Sequence, residues 1–107
     1  RDSAGTVFTA SVPVGMHARF MPNVVCTHDD IIEDHVTIAS GAVIAGSVVL
    51  EQSCYIGAGA AIREQVRVGA NAVVGMGAVV TSDVPSDATW IGVPARPIHS
   101  VVVEAGS

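Results

Sequence analysis

An apolar residue, usually aliphatic, recurs at every sixth position along most of the chain. Thirteen such positions follow one another without an insertion: Phe8, Val14, Phe20, Cys26, Ile32, Ile38, Ile44, Leu50, Ile56, Ile62, Val68, Val74 and Val80. A second, usually smaller residue follows each of them by four positions, and Asp30 is the one charged residue in that second set. A period of six matches neither the 3.6-residue period of a helix nor the two-residue alternation of a simple strand. The pattern therefore predicts short strands joined by tight turns, with two residues of each hexad pointing inward.

Three hexads are expected to close one triangular coil of eighteen residues. Sorted by eighteen, the large positions form three inner columns: Phe8, Cys26, Ile44, Ile62 and Val80; Val14, Ile32, Leu50 and Val68; Phe20, Ile38, Ile56 and Val74. Each coil then buries its apolar interior on its neighbours, as a solenoid requires. The sequence thus predicts an all-β parallel β-helix of about four coils with a short C-terminal extension. Small residues that follow the large ones are expected at corners with positive φ: Gly15, Ala39, Ala45, Gly57, Gly69 and Gly75.

The organisation along the chain is predicted to be a lead-in over residues 1–7, the β-helix over 8–85 and a C-terminal segment over 86–107. Pro85 and the turn-forming residues 86–89 are expected to end the repeat. Residues 101–103 are all valine, which is long enough for one short strand. The apolar ends of so short a solenoid need a cover, and oligomerisation is the expected one.

Charge and composition narrow the function classes. The net charge is −5 and the chain has no lysine, which argues against a nucleic-acid partner. No apolar run approaches the ~18 residues of a membrane span. The chain begins at Arg1 rather than Met, which leaves an upstream segment open. Cys26 and Cys54 both occupy inward positions, so they are interpreted as reduced core residues, and a cytoplasmic location is expected.

Two histidines are predicted to stack on one corner. His17 and His35 are eighteen residues apart and share a hexad position. A zinc site would need further ligands, yet Ser53 and Asn71 follow in that column. Two solvated corner histidines are therefore the favoured interpretation. The spacing of the histidines does not match a three-histidine carbonic anhydrase site either, and no metal is predicted.

His28 is the residue best suited to proton transfer. It points outward, beside Asp29, and an imidazole oriented by a carboxylate is a common general base. Gly46 follows His28 by one coil and leaves room next to the ring. Asp30 occupies an inward position, where an unpaired carboxylate is costly. It is expected either to reach water at an open edge or to support His28.

Two segments of the chain resemble a known family, the left-handed parallel β-helix acyltransferases. The segment 20–46 contains Val25-Cys-Thr-His-Asp-Asp30 and ends in Gly41-Ala-Val-Ile-Ala-Gly46. It is similar to the His-Asp segment of bacterial sugar acetyltransferases of the sialic-acid and bacillosamine pathways. The ending Val79-Val-Thr-Ser-Asp-Val-Pro85, followed by Trp90-Ile-Gly-Val-Pro-Ala-Arg96, resembles the closing motif of many hexapeptide acyltransferases. The left hand of the coil comes from this resemblance alone.

The resemblance implies transfer of acetyl from acetyl-CoA to an amine or hydroxyl of a sugar or nucleotide sugar by a homotrimer. His28 matches the catalytic base and Asp29 the acid that orients it. Gly46 matches the glycine whose backbone N–H meets the thioester carbonyl. Further positions match the CoA groove. Gly75, Gly77 and Ala78 correspond to its pantetheine part, and Pro94, Ala95 and Arg96 to its adenine and phosphate end.

The chain departs from the family at several positions. Thr27 replaces a glutamate, Asp30 a cysteine, and Thr37 the family's second histidine. The family also has an N-terminal α/β domain for the nucleotide sugar, which this sequence lacks, so the domain has been cut away or the acceptor is held differently. Two alternatives therefore stay open: an acetyltransferase for a small non-sugar acceptor, and a non-catalytic structural or assembly module.

Overall fold

The computed structural model describes residues 7–8 and 12–98. Every described element is a strand, and no helix among these residues is long and apolar enough to cross a membrane. The fold is an all-β parallel solenoid, as the hexads predict. Its strands are β1 (Val7–Phe8), β2 (Arg19–Phe20), β3 (Val25–Cys26), β4 (Ile31–Ile32), β5 (Thr37–Ile38), β6 (Val43–Ile44), β7 (Val49–Leu50), β8 (Tyr55–Ile56), β9 (Ala61–Ile62), β10 (Arg67–Val68), β11 (Val73–Val74), β12 (Val79–Val80), β13 (Thr89–Ile91) and β14 (Arg96–Pro97).

The strands form three faces of a triangular prism. Face 1 consists of β1, β3, β6, β9 and β12, and face 2 of β4, β7 and β10. Face 3 consists of β2, β5, β8, β11, β13 and β14. Apart from the β13–β14 pair, neighbouring strands within a face are parallel, and their partners are eighteen residues apart in most of the solenoid, as in Cys26↔Ile44 and Ile38↔Ile56. The three predicted columns are therefore confirmed as the three faces.

The core is the stack of large residues, which are the second residues of nearly all the strands. From Phe20 to Val80 all of them are buried, together with smaller partners such as Val24, Ala42 and Ala60. Val14 is the exception, because its side chain is 43% exposed. It lies at the end of its column and bridges only to Ile32, so one side of it has no described coil to pack against.

The corners adopt a left-handed backbone at a position other than the one expected. Positive φ falls three residues after each large residue from Val14 to Val74, and again three residues after Val84, rather than directly after it. It is found at twelve corner residues: His17, Asn23, Asp29, His35, Gly41, Ser47, Ser53, Gly59, Gln65, Asn71, Gly77 and Asp87. Gly15, Gly57, Gly69 and Gly75 do not have positive φ.

Close approach between coils explains those glycines instead. A Cβ on Gly57 would lie 2.6 Å from the backbone nitrogen of Met76, and a Cβ on Gly69 would lie 2.4 Å from that of Ser86. Contacts below 3 Å with backbone cannot be relieved by a side-chain movement. The small residues therefore allow one corner to rest on the next.

The last coil is shorter than the others by two residues. Val84 bridges to Val68, and Trp90 pairs with Val74, so the offset falls from eighteen to sixteen. Val84 thus occupies the column of large residues, not the column of small ones in which the six-residue count places it. The parallel ladder continues through β13, beyond the expected end of the repeat at Pro85. The strand β14 then returns antiparallel to β13. Residues 99–107, including the predicted valine strand, lie outside the described residues.

Candidate active site

His28 and Asp29 occupy the tight turn between β3 and β4. This turn and the equivalent turns stacked on it in the next coils are here called the His28 corner. Asp29 has a φ of 64°, so the backbone at this residue is left-handed and the chain turns sharply next to His28. His28 Nδ1 lies 3.1 Å from Asp29 Oδ2, and the two side chains are 68% and 77% exposed. Because Nδ1 faces the carboxylate, Nε2 is the nitrogen left for an incoming group. The structure thus places side by side the two residues that sequence analysis singled out for catalysis.

Gly46 packs against the imidazole from the next coil. A Cβ built on Gly46 would lie 3.1 Å from His28 Cε1 and 3.3 Å from Nε2, so even a methyl group would press on the ring. The carbonyl of Gly46 accepts a hydrogen bond from Gln65 N–H at 3.0 Å. Its own N–H donates no hydrogen bond to any of the described residues. A backbone donor beside the imidazole is therefore available to a ligand.

Asp30 supports this corner from inside the coil. Its side chain is 0% exposed. Its Oδ2 accepts the Thr27 N–H at 3.0 Å, and its Oδ1 accepts the Val48 N–H at 2.9 Å. Burial raises the pKa of Asp30, while these two N–H groups and the nearby His28 act in the opposite direction. Asp30 therefore does not reach solvent at an open edge, and a supporting role towards His28 stays a prediction.

Other corners close in a different way. There the residue equivalent to Val48 donates its N–H to the carbonyl three residues earlier, as in Ala42 to Ala39 at 3.3 Å and Ala60 to Gly57 at 3.1 Å. At the His28 corner a carboxylate has replaced that backbone acceptor. A charged residue in an otherwise apolar column was the sequence signal for this feature, although the hydrogen bonds that it makes could not be read from the pattern.

The two parts of the predicted CoA site meet at the corner before β12. Val79 donates its N–H to the Gly92 carbonyl at 3.0 Å and accepts the Ala95 N–H at 2.8 Å. These bonds hold the turn that contains Pro94, Ala95 and Arg96 against the corner that contains Gly75, Gly77 and Ala78. Ala78 is fully buried and donates its N–H to Gly75. Ala95 is also buried, whereas Pro94 and Arg96 are exposed.

Within one chain the two halves of the candidate site lie at opposite edges of face 1. The chain enters this face from the corner at 75–78 and leaves it into the corner shared by His28 and Gly46. Between these edges, face 1 presents an outward row of Val25, Val43, Ala61 and Val79, and Val43 is 45% exposed. His28 and the expected CoA groove are therefore separated by an apolar surface.

The remaining sequence-predicted residues lie elsewhere. His17 and His35 stack with ring centroids 5.1 Å apart and planes at 14°, which confirms their predicted alignment. No group of three metal-ligating side chains occurs in the part of the chain that the structure describes. Thr37 lies on face 3, away from His28. Both cysteines are buried, and burial raises the pKa of the Cys54 thiol to about 12, so this thiol stays protonated at neutral pH.

Sequence analysis did not single out Arg19. It lines a cavity of about 430 Å³ together with His17, His35 and Thr37. The sequence contained a signal for this cluster, because Arg19 and Thr37 each follow one of the two histidines by two residues.

Comparison with known proteins gives the same fold. Residues 47–82 match the family described as bacterial transferase hexapeptide (six repeats). No curated protein sequence matches the chain. Among solved structures, the acetyltransferase domain of PglB from Neisseria gonorrhoeae superposes with a TM-score of 0.76 at 26% identity, over 88% of this chain and 55% of that one. WeeI from Acinetobacter baumannii superposes with a TM-score of 0.71 at 33% identity, over 90% of this chain and 56% of that one.

A serine acetyltransferase in complex with CoA is similar to the same degree. Its TM-score is 0.76 at 33% identity, over 81% of this chain and 39% of that one. The chain therefore spans little more than half, or less, of the structures that it resembles. Together these findings define its class: it is a hexapeptide-repeat protein with the left-handed parallel β-helix fold of the acyltransferases, and its segment 47–82 carries the bacterial transferase hexapeptide.

Proposed function

We propose that this chain is an acetyl-CoA-dependent acetyltransferase that acts on an amino or hydroxyl group of a sugar or nucleotide sugar, with His28 as general base. The observation that carries the proposal is the arrangement of His28, with Asp29 3.1 Å from Nδ1 and Gly46 packed against the ring. Similarity to an acetyltransferase domain and to a CoA-bound acetyltransferase supports acetyl transfer from CoA.

In the proposed reaction, Nε2 of His28 takes the proton from the acceptor as its oxygen or nitrogen attacks the thioester carbonyl of acetyl-CoA. Asp29 holds the ring and stabilises the imidazolium. Negative charge develops on the carbonyl oxygen, and the N–H of Gly46 is the donor proposed to receive it. The new bond to the acetyl carbon forms and the C–S bond breaks. The imidazolium then returns its proton to the departing thiolate, which leaves as free CoA.

The proposal includes a homotrimer in which the CoA groove lies between subunits. The separation of the two half-sites across face 1 supports this arrangement. A neighbouring copy can bring its own 75–78 corner, with Pro94 and Arg96, towards His28. The apolar outward row of face 1 also favours association, because contiguous exposed apolar surface on soluble proteins usually marks an interface. Two buried cysteine side chains fit a cytoplasmic location, which we include in the proposal.

A small acceptor, either an amino acid or a simple alcohol, is the second candidate. It is favoured by the similarity to serine acetyltransferase at 33% identity. In both candidates His28, Asp29 and Gly46 have the same roles. The candidates differ in the acceptor, so only substrate specificity distinguishes them.

The test is a thiol-release assay with acetyl-CoA and a panel of acceptors: amino-sugar nucleotides, free amino sugars and serine. If the acceptor is a sugar, we expect CoA to be released only when a sugar acceptor is present, and this release to be lost in His28→Ala. Release with serine alone would favour the second candidate. Intact binding of acetyl-CoA without transfer to any acceptor, or no binding at all, would contradict the proposal and favour a structural module.

A further inference from the structure

A second polar site lies on the opposite side of the prism from face 1. The turn that carries His17, between Val14 and β2, meets face 3 there. His17 and His35 stack there across one coil, with centroids 5.1 Å apart. Both residues have positive φ, of 57° and 60°, at the tip of their turns. The equivalent positions in the next coils are Ser53 and Asn71. The imidazole pair is therefore confined to the first coils and is not a general feature of the repeat.

Two further hydrogen-bond donors lie beside the histidines. Arg19 and Thr37 are register partners on β2 and β5, and they line the same cavity of about 430 Å³ as His17 and His35. No carboxylate lines this cavity. The nearest acid along the chain, Asp34, uses Oδ1 to accept the Met16 N–H at 2.7 Å.

Arg19 is available for a ligand. Arg63 and Arg67 pair with Glu64 and Glu51, respectively, whereas Arg19 forms no ion pair within residues 12–98. In a chain of net charge −5, an unpaired guanidinium beside two imidazoles is a local concentration of nitrogen hydrogen-bond donors. The hydrophobic core does not require this group of side chains, because His17 and Arg19 are exposed to solvent.

We propose that this cavity binds the phosphate group of a phosphorylated organic ligand. An arginine fork binds phosphate oxygens in a bidentate manner, and imidazole N–H and hydroxyl groups supply further donors. The cavity volume lies in the range of small-molecule sites, which leaves room for the organic part that carries the phosphate.

Two classes of phosphorylated compound fit this chemistry: a nucleoside diphosphate and CoA. Either would bind here in addition to the proposed acetyl-transfer site, where the phosphate end of CoA is assigned to Arg96. The inference goes beyond the proposed acetyl transfer and does not depend on it, because the cavity and His28 lie on different corners. A binding measurement therefore tests the site separately from catalysis.

The experiment is a titration of the intact chain, followed by calorimetry and by the NMR signals of the histidine side chains. The probes are uridine diphosphate, CoA, inorganic phosphate, acetate and pantetheine, which lacks phosphate. We expect saturable binding of uridine diphosphate or CoA that shifts the signals of His17 and His35 more than those of His28. Binding of CoA is assigned to this cavity only if it shifts the signals of His17 and His35, because the proposed acyl-donor groove also binds CoA. Binding of CoA but not of pantetheine shows that the phosphates are recognised.

Variants decide whether the cavity carries this binding. Arg19→Ala and His35→Asn are expected to weaken it about tenfold each, as loss of one charge-assisted hydrogen bond implies. Asparagine suits the positive φ at residue 35, because Asn23 and Asn71 have the same backbone conformation. Arg63→Ala is the matched control and is expected to leave the affinity unchanged.

Several outcomes would overturn the proposal. These are no saturable binding of any phosphate compound, equal binding of acetate, or equal losses in Arg19→Ala and Arg63→Ala. Inorganic phosphate that binds as tightly as the nucleotide and CoA would contradict a site for an organic phosphate. Circular dichroism of each variant confirms that the coil is intact.

Discussion

The carboxylate of Asp30 and the backbone N–H of Val48 are joined by a hydrogen bond of 2.9 Å that connects two successive coils at the His28 corner. The same carboxylate accepts the N–H of Thr27, so it closes the turn that carries His28 and Asp29. Corners such as the one at Ala60 close through backbone groups alone. Asp30 is thus unnecessary for a corner as such, and we expect it to hold the turn that carries His28, the proposed base.

Replacement of Asp30 by alanine separates stability from activity. Alanine occupies the equivalent position at residues 42, 60, 72 and 78, and the Val48 N–H can then bond to the Ala45 carbonyl as those corners do. We expect the free energy of unfolding to change by less than about 1 kcal/mol, because loss of two hydrogen bonds is offset by removal of a buried charge. The rate of acetyl transfer should fall about tenfold or more at unchanged KM, since the base is held less well.

Denaturant unfolding and steady-state kinetics measure these two effects. Asp30→Val is the matched variant, because valine is found at the equivalent positions 24, 36 and 48. A loss of several kcal/mol in both variants, or full activity in both, would contradict a positioning role.

The raised pKa of Asp30 predicts a specific pH dependence of stability. The folded chain holds the Asp30 proton more tightly than the unfolded chain, in which the pKa is near 3.8. Stability from this group is therefore present at low pH and lost as the pH rises from about 4 through the raised pKa. Asp30→Ala should accordingly gain stability relative to the parent chain as the pH rises above about 4, as measured by urea unfolding. A difference that stays constant or changes in the opposite direction would contradict the raised pKa.

Gly46→Ala tests the packing of Gly46 on the imidazole. The new Cβ would lie 3.1 Å from His28 Cε1, so the exposed ring must move. We expect the turnover number to fall about tenfold with little loss of stability, because even a displacement of part of an ångström misplaces a catalytic group. Glu64→Ala, one coil further along the same corner, is the control and should retain activity. Parent-like turnover in Gly46→Ala would argue against a reaction at this ring.

Val43→Arg tests the proposed assembly. Val43 lies in the middle of the apolar outward row of face 1, and an unpaired guanidinium buried in an interface is strongly destabilising. The variant is expected to have the mass of a monomer by light scattering and to lose acetyl transfer. Val73→Arg places the same side chain on face 3 and is expected to remain a trimer. A trimeric Val43→Arg would exclude face 1 from the interface.

Most of the fold was predictable because one rule repeats. A period of six fixes which residues point inward, and a repeat of eighteen fixes which of them stack, so columns such as Cys26 on Ile44 follow by counting. Counting fails where the period changes. The shortened turn between Val80 and Val84 shifts the register by two residues, and the six-residue spacing contains no signal for such a loss.

Prediction of the site was uneven for a related reason. His28 and Asp29 are neighbours in sequence, and Gly46 follows His28 by one coil, so their contact follows from the repeat. The hydrogen bonds of Asp30 and the small residues at the coil contacts depend on atomic distances. Gly57, for example, was assigned to a corner with positive φ, yet it is required by a backbone contact with Met76.

The most direct test of His28 as the base compares the parent chain with His28→Ala in two measurements. Calorimetry gives the affinity for acetyl-CoA, and thiol release with a saturating acceptor gives the turnover. We predict similar affinity in both chains and a turnover about 100-fold to 10,000-fold lower in the variant, the usual contribution of a general base. Turnover in His28→Ala equal to that of the parent chain would contradict the central claim.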